Sequence, residues 1–487
     1  MIIMLLLNLN KTDSKPLFQQ VVDQIKSLIE QGVLREGEAL PATRKLADRC
    51  GVNRTTITKA YEELWAMGYL ESSQGSYSYV RLPQFARKEL EHQDDSGINW
   101  SNSLCFNRVD LYLMDEWRIN ATGMINFRSL SPDPRLMPTE DFRKCLNQHI
   151  ANHGTRVLNY GDARGYDPLI KYISKHQQLH QIHASEDQII LTNGAQHALD
   201  LICRLYIDEN TTIAIGRPSY NSAIQMFKSV TSNIIEIPLN DEGLDLDELE
   251  FQAQKKQIKM VYTMPNFQNP TGITTSMGHR EQLLEICEKY DMILIEDGFE
   301  EEMKYFDKAV LPIKSIDRNH HVIYLGTFSK VLFPGLRLGW ITAHRDCIQQ
   351  LSAFKTLTEL SGNQLSQSAV YGFCKSGKYD LHKKRFHKAY KKRMTHTLKM
   401  IREYIPEEVK TSIPMGGYLI WFELPNLKLS EKELINRLLK NKILVAKGSD
   451  YYASHSDNLA FRLSIAHTDE EEITEGIKRI AQVINSI

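Results

Sequence analysis

From about residue 121 to the carboxyl terminus, short apolar runs alternate with longer stretches of helical spacing. The runs are Gln188 to Leu191, Thr211 to Ile215, Lys259 to Thr263, Met292 to Ile295 and Val322 to Leu325. Strands separated by helices close into a mostly parallel sheet with helices on both faces, an α/β fold. Ligand groups of such sheets collect beyond the carboxyl ends of the strands. Residues with useful chemistry fall there: Gly194 after one strand, Asn269 after another, Asp297 after a third and Lys330 after a fourth. From about 380 to 487 the pattern predicts a smaller α+β subdomain.

A chain of 487 residues is too long for one core and predicts two or three domains. Hydrophobic residues at 42% and charged residues at 24% fit an ordinary globular protein. The net charge of -1 argues for no particular partner, although a small basic face can hide in a neutral total. Seven scattered cysteines without a Cys-x-x-Cys pair predict a reducing, cytoplasmic setting and no structural metal site. The apolar start, Met1 to Leu7, has no basic residue before it and is soon interrupted by Asn8, Asn10 and Asp13. It is too short to span a bilayer, so no membrane partner is expected and a short strand or lead-in is.

Residues 14 to 81 read as a separate unit. Leu17, Val21, Ile25, Leu28 and Ile29 repeat with helical spacing up to Gly32, and a second helix follows Pro41. After Gly51-Val52, Asn53 is placed to cap a third helix that ends near Gly68. Tyr69-Leu70-Glu71 and Tyr77-Ser78-Tyr79-Val80 then flank a turn that holds Gln74 and Gly75. Three helices and a hairpin make a winged helix-turn-helix, whose third helix offers Arg54, Thr55, Thr56, Thr58 and Lys59 to the major groove of double-stranded DNA. Arg44 is in position for a phosphate or a guanine, and the wing tip for the minor groove or the backbone. Residues 82 to 120 are polar and charged at first, as linkers are, and then carry Trp100, Phe106, Tyr112 and Trp117.

The stretch from Gly326 to Trp340 sets Lys330 in a glycine- and hydroxyl-rich turn, with Arg337 seven residues on. A lysine that forms an imine with an aldehyde needs a desolvated pocket to lower its pKa. Pyridoxal 5'-phosphate also needs a carboxylate at its ring nitrogen, for which Asp297 is placed. Asn269, in Asn-Pro-Thr-Gly, can donate to the phenolate oxygen, and Tyr220 can stack on the ring. Gly194-Ala195-Gln196 opens a helix after a strand, so its N–H groups and the helix dipole suit a phosphate. Thr327, Ser329 and Arg337 complete that cradle.

Residues 14 to 81 resemble the GntR-type winged helix-turn-helix, through Pro16-Leu17, Leu40-Pro41-Ala42-Thr43-Arg44, Gly51-Val52-Asn53-Arg54-Thr55-Thr56, Ala60-Tyr61 and Gly68-Tyr69-Leu70. That resemblance implies DNA contacts at Arg44, Arg54, Thr55, Thr56 and Gly75; the wing reads Gln74-Gly75-Ser76-Tyr77, where the family usually has a second glycine. Residues 121 to 487 resemble fold-type I, class I aminotransferases through Tyr160-Gly161-Asp162, Thr192 to Gln196, Asn269 to Gly272, Asp297, Ser329-Lys330 with Arg337, and Phe461-Arg462-Leu463-Ser464. It implies that Arg462 pairs with a substrate carboxylate and that Tyr160 reaches the phosphate of a partner in a homodimer.

Joined in this order, the halves resemble the MocR/GabR regulators, which use pyridoxal phosphate, often with an amino acid or amine effector, to control DNA binding. The family's tyrosine two residues after the ring-nitrogen aspartate is Phe299 here. The expected function is a transcriptional regulator with a lysine-bound cofactor. The alternative is a working aminotransferase with an appended DNA head.

Overall fold

In the computed structural model, helix α1 (Leu17–Glu30) buries Val21, Val22, Ile25 and Ile29, one apolar stripe at helical spacing. The stripe packs on α2 (Thr43–Cys50) and α3 (Arg54–Ala66) through Leu46, Ala47, Ile57, Ala60 and Leu64. Gly51 ends α2 at φ +60°, a conformation that costs glycine least. Asn53 caps α3, its side chain accepting from the Thr55 N–H at 3.2 Å. Strands β1 (Leu70–Ser72) and β2 (Ser78–Val80) pair antiparallel and form the base of the wing.

The structure describes residues 7–11, 13, 15–30, 32–72, 77–81, 122–306, 310–425 and 428–487. The wing-tip positions Gln74 and Gly75 and the linker 82–120 lie outside the described residues. The chain divides into two units, Met1–Cys105 and Phe106–Ile487.

In the second unit, β3 (Ile125–Asn126) precedes a large sheet. Its strands are β4 (Ile189–Thr192), β5 (Thr212–Arg217), β6 (Ile234–Asn240), β7 (Gly243–Leu244), β8 (Ile258–Thr263), β9 (Ile293–Asp297), β10 (Val322–Thr327) and β11 (Gly339–Thr342). They lie in the order β4-β11-β10-β9-β8-β5-β6-β7. The pairings β11–β10, β11–β4 and β6–β7 are antiparallel, and those among β10, β9, β8, β5 and β6 are parallel. All five expected strands are present, and their carboxyl ends share one edge of the sheet. β6, β7 and β11 were not anticipated: β11 runs straight on from the Arg337 turn with no break in composition to mark it.

The smaller lobe is built on a four-stranded antiparallel sheet of β12 (Lys410–Thr411), β13 (Leu419–Glu423), β15 (Ala446–Lys447) and β16 (Ala460–Ser464). It also takes in β3, which pairs parallel with β14 (Ile443–Leu444), so both ends of the unit contribute to it. The expected start at about 380 falls inside the helix Lys378–Tyr404. Among the described residues no helix is long and apolar enough to cross a membrane, and Cys50, Cys145, Cys203, Cys287, Cys347 and Cys374 are free thiols.

Candidate functional site

Beyond the carboxyl ends of β4, β5, β8, β9 and β10 the sheet edge opens into a cavity of about 110 Å³. Ala195, Gln196, Tyr220, Asn269, Asp297, Thr327, Ser329, Lys330 and Arg337, all expected from the sequence, line it together with Leu130, Met264 and Phe299. The strand register explains the convergence: parallel neighbours release their chains at one level, and each following turn projects a side chain into the same space.

Lys330 sits three residues past β10, half-buried, its Nζ donating to the Leu130 carbonyl at 3.3 Å. Burial and the nearby Arg462 and Arg337 push its ammonium down to about 8, against the pull of Glu300 and Asp297. Tyr418 donates its hydroxyl to the Lys330 carbonyl at 2.5 Å and fixes the turn. Glu300 is buried beside this lysine; desolvation pushes its carboxyl up to about 8.

Asp297 ends β9 and is 1% exposed. Its Oδ2 accepts from the Tyr262 hydroxyl at 2.8 Å, while Oδ1 has no partner among the described residues. Burial raises its carboxyl to about 6, against the Tyr262 hydroxyl and the nearby Lys330, which favour the charged form. Asn269 is also 1% exposed. Its Oδ1 accepts from Arg462 Nη1 at 3.2 Å and its Nδ2 is left without an acceptor among the described residues. Buried polar atoms without partners are costly, and here two of them belong to residues that line one cavity.

The anion-binding end lies at the start of the helix Ala195–Tyr206. Gly194 precedes it at φ +86°, and a Cβ there would stand 3.0 Å from Arg337 Nη2. Glycine therefore serves twice, in backbone conformation and in letting the guanidinium close in. Arg337 is exposed at the mouth of the cavity and donates to the Asn193 carbonyl at 2.9 Å. The Ser329 N–H donates to Thr327 Oγ1 at 3.1 Å, shaping the hydroxyl turn.

These donors fit pyridoxal 5'-phosphate. A carboxylate oxygen free for a ring N–H, an amide N–H free for a ring oxygen, an amine of lowered pKa and a helix start with an arginine are its requirements. Arg462, on β16, is buried; Nη1 reaches Asn269, Nη2 reaches the Arg128 carbonyl, and Nε has no partner among the described residues. Tyr160 is 79% exposed and does not line the cavity of its own chain. Leu130, Tyr262, Glu300 and Tyr418 escaped sequence reasoning: each meets the site only through tertiary contact, with no motif of its own.

In the first unit Arg44, Arg54 and Thr55 are exposed and Thr56 is half-buried. Lys59 lies with its Nζ 4.0 Å from the centroid of the Phe18 ring, so that part of the polar face is engaged within the unit.

Residues 125–480 match the family model for class I and II aminotransferases, and residues 17–80 match that of bacterial regulatory proteins of the gntR family. Over 372 residues the chain is 34% identical to aromatic-amino-acid aminotransferase 1 of Thermococcus litoralis, covering 75% of this chain and 89% of that one. It is 28% identical to the uncharacterized HTH-type transcriptional regulator YdfD of Bacillus subtilis, over 98% of both chains. Among solved structures, the multiple substrate aminotransferase of Thermococcus profundus superposes with a TM-score of 0.76 at 30% identity, covering 80% of this chain and 99% of that one. The chain belongs to the class I and II aminotransferase family and joins that domain to an amino-terminal gntR-family helix-turn-helix, in the arrangement of the MocR-like transcriptional regulators.

Proposed function

We propose that this protein is a DNA-binding transcriptional regulator that carries pyridoxal 5'-phosphate on Lys330 and senses the cofactor or an amino compound that reacts with it. One observation carries the reading. Lys330 lines one cavity with Asp297 Oδ1 and Asn269 Nδ2, which have no partner among the described residues, in a chain whose residues 17–80 match the gntR family of bacterial regulatory proteins.

When bound, pyridoxal phosphate supplies an aldehyde that condenses with amines and a ring that withdraws electrons. Lys330, eased toward its neutral form by burial, is the amine that attaches it. Asp297, with Oδ2 fixed by Tyr262, offers Oδ1 to the ring nitrogen and keeps a proton there. Asn269 donates Nδ2–H to the ring oxygen, and Tyr220 stacks on the ring. The N–H groups of Gly194, Ala195 and Gln196, with Thr327, Ser329 and Arg337, take the phosphate. Arg462 turns its fork to the carboxylate of an amino acid effector, leaving Asn269 and the Arg128 carbonyl to do so.

Tyr160, exposed and outside its own cavity, reaches the phosphate of a second copy in a homodimer. Arg44, Arg54, Thr55, Thr56 and Gly75 contact duplex DNA, and residues 82–120 join the head, 14–81, to the aminotransferase-like part, 121–487. With its six described cysteines free and its ligands metabolites and DNA, the protein works in the cytoplasm.

An effector shifts DNA binding only if it favours one arrangement of the chain over another. The test is a titration of full-length protein onto its upstream DNA with and without pyridoxal phosphate and amino acids. The midpoint should move for the native chain and stay fixed for Lys330→Ala. A midpoint that moves in neither sinks the regulatory reading.

Retention of Lys330, Asp297, Asn269 and Arg462 favours a second reading, turnover as an aminotransferase. Phe299 lines the cavity where the family's tyrosine would add a hydroxyl, which leaves Asn269 as the donor to the ring oxygen and slows proton transfer. Phe299→Tyr should therefore speed the half-reaction with an amino acid; an unchanged rate removes Phe299 as the cause of slow chemistry. Unaltered DNA affinity together with fast multiple turnover would favour the enzyme.

A further inference from the structure

Behind the Phe299 wall lies a second, smaller void of about 10 Å³, lined by His176, His180, Glu302 and Phe299 among others. That is room for about one water-sized atom. Both histidine Nε2 atoms converge on a single oxygen, Glu302 Oε1, at 2.7 Å for His176 and 2.9 Å for His180. The three donor atoms lie within 4.8 Å of one another. We propose that His176, His180 and Glu302 form a binding site for one divalent transition-metal ion of the zinc, cobalt or nickel type.

Two imidazoles and a carboxylate are a borderline donor set that suits these ions better than calcium or magnesium. Ligands 2.0–2.1 Å from a tetrahedral ion stand roughly 3.3 Å apart, so the two histidine–Glu302 Oε1 distances of 2.7 and 2.9 Å need widen by only about half an ångström to admit one. The surrounding groups already orient the ligands. Lys383 Nζ donates to the other carboxylate oxygen, Glu302 Oε2, at 2.9 Å and leaves Oε1 turned to the histidines. His180 Nδ1 stands 3.5 Å from Glu301 Oε1, a carboxylate placed to receive the Nδ1 proton once Nε2 turns its lone pair to the ion. The His176 ring is held by Tyr172, stacked at 5.8 Å, and by the edge of Tyr379 at 5.9 Å. On binding, the Nε2 lone pairs and the Oε1 lone pair form the bonds to the ion. Protons on Nε2 either move to Nδ1 or leave to solvent, and no oxidant or reductant is required.

The site is independent of the cofactor reading, since none of its ligands lines the Lys330 cavity. Full-length protein stripped with a chelator and dialysed against zinc chloride should retain one zinc per chain by elemental analysis. His180→Asn and Glu302→Gln should each lose it, and Glu301→Gln should weaken binding about 10- to 100-fold. Should those variants fail to fold, the cobalt(II) spectrum of the native chain decides. Visible bands of a nitrogen- and oxygen-ligated tetrahedral ion support the site, and thiolate charge-transfer bands oppose it. No retained zinc, or folded variants that bind as well as the native chain, would reduce the cluster to an ion-pair network and overturn the proposal.

Discussion

The first unit holds its candidate contacts outward, and the second turns its own inward. Arg44, Arg54 and Thr55 are exposed on a small helical head, their polar atoms open to solvent. Asp297 and Asn269 are each 1% exposed, and each keeps one polar atom without a protein partner among the described residues. The difference separates two ways of being ready for a ligand. A DNA-reading face trades water for phosphates and base edges at little cost to the free protein. A buried pocket holds fixed polar atoms aimed at one ligand, and so should gain stability on binding it.

The largest effect that sharpens this contrast is at Asp297. Asp297→Asn keeps the shape and the contact with Tyr262 but removes the charge. Hydrogen bonds to charged groups are worth about 1.5–3 kcal/mol, so pyridoxal phosphate should bind about 10- to 150-fold more weakly. Spectroscopic titration measures this, and DNA affinity without cofactor should not change. Arg54→Ala is the counterpart in the head. It should cost about 1–3 kcal/mol of DNA binding if the guanidinium reads a base, and leave cofactor titration as it was. A substitution in one unit that altered the intrinsic binding of the other would break the comparison.

Smaller effects test the scaffold and the protonation state. Asn53→Ala removes the cap of α3 and should lower the stability of the head by about 1 kcal/mol, seen as an earlier melting transition with unchanged cofactor binding. Cofactor capture should depend gently on pH. Only the neutral amine attacks the aldehyde, and burial lowers the Lys330 ammonium to about 8. The rate of capture should therefore rise from neutral pH and level off above about 8, where an exposed lysine would keep rising toward its usual value of about 10.4. Stopped-flow absorbance at a series of pH values distinguishes the two.

Local chemistry was legible in the sequence, and tertiary chemistry was not. The Asn53 cap, the left-handed Gly51 and the Gly194 helix start are requirements of a few adjacent residues, and the sequence carries them openly. The five apolar runs became strands for the same reason. β11 was missed because four residues, Gly339–Thr342, pair antiparallel between two strands far away in the chain, and nothing nearby signals it. Tyr262 reaches Asp297 across neighbouring strands, and Glu300 gains its role only from the Lys330 beside it in space. The histidine pair of the proposed ion site, His176-x-x-x-His180, stood open to view in the sequence. What no local reading supplies is Glu302, more than a hundred residues along, closing on both rings.

Peptide mapping after borohydride reduction puts the most direct question to the molecule. Native full-length protein is incubated with pyridoxal phosphate, reduced, digested and sequenced by mass spectrometry. A single phosphopyridoxyl adduct on Lys330, missing when Asp297→Asn is treated at low cofactor concentration, is the predicted result. A chain left unlabelled, or labelled only on surface lysines such as Lys384 and Lys388, would contradict it.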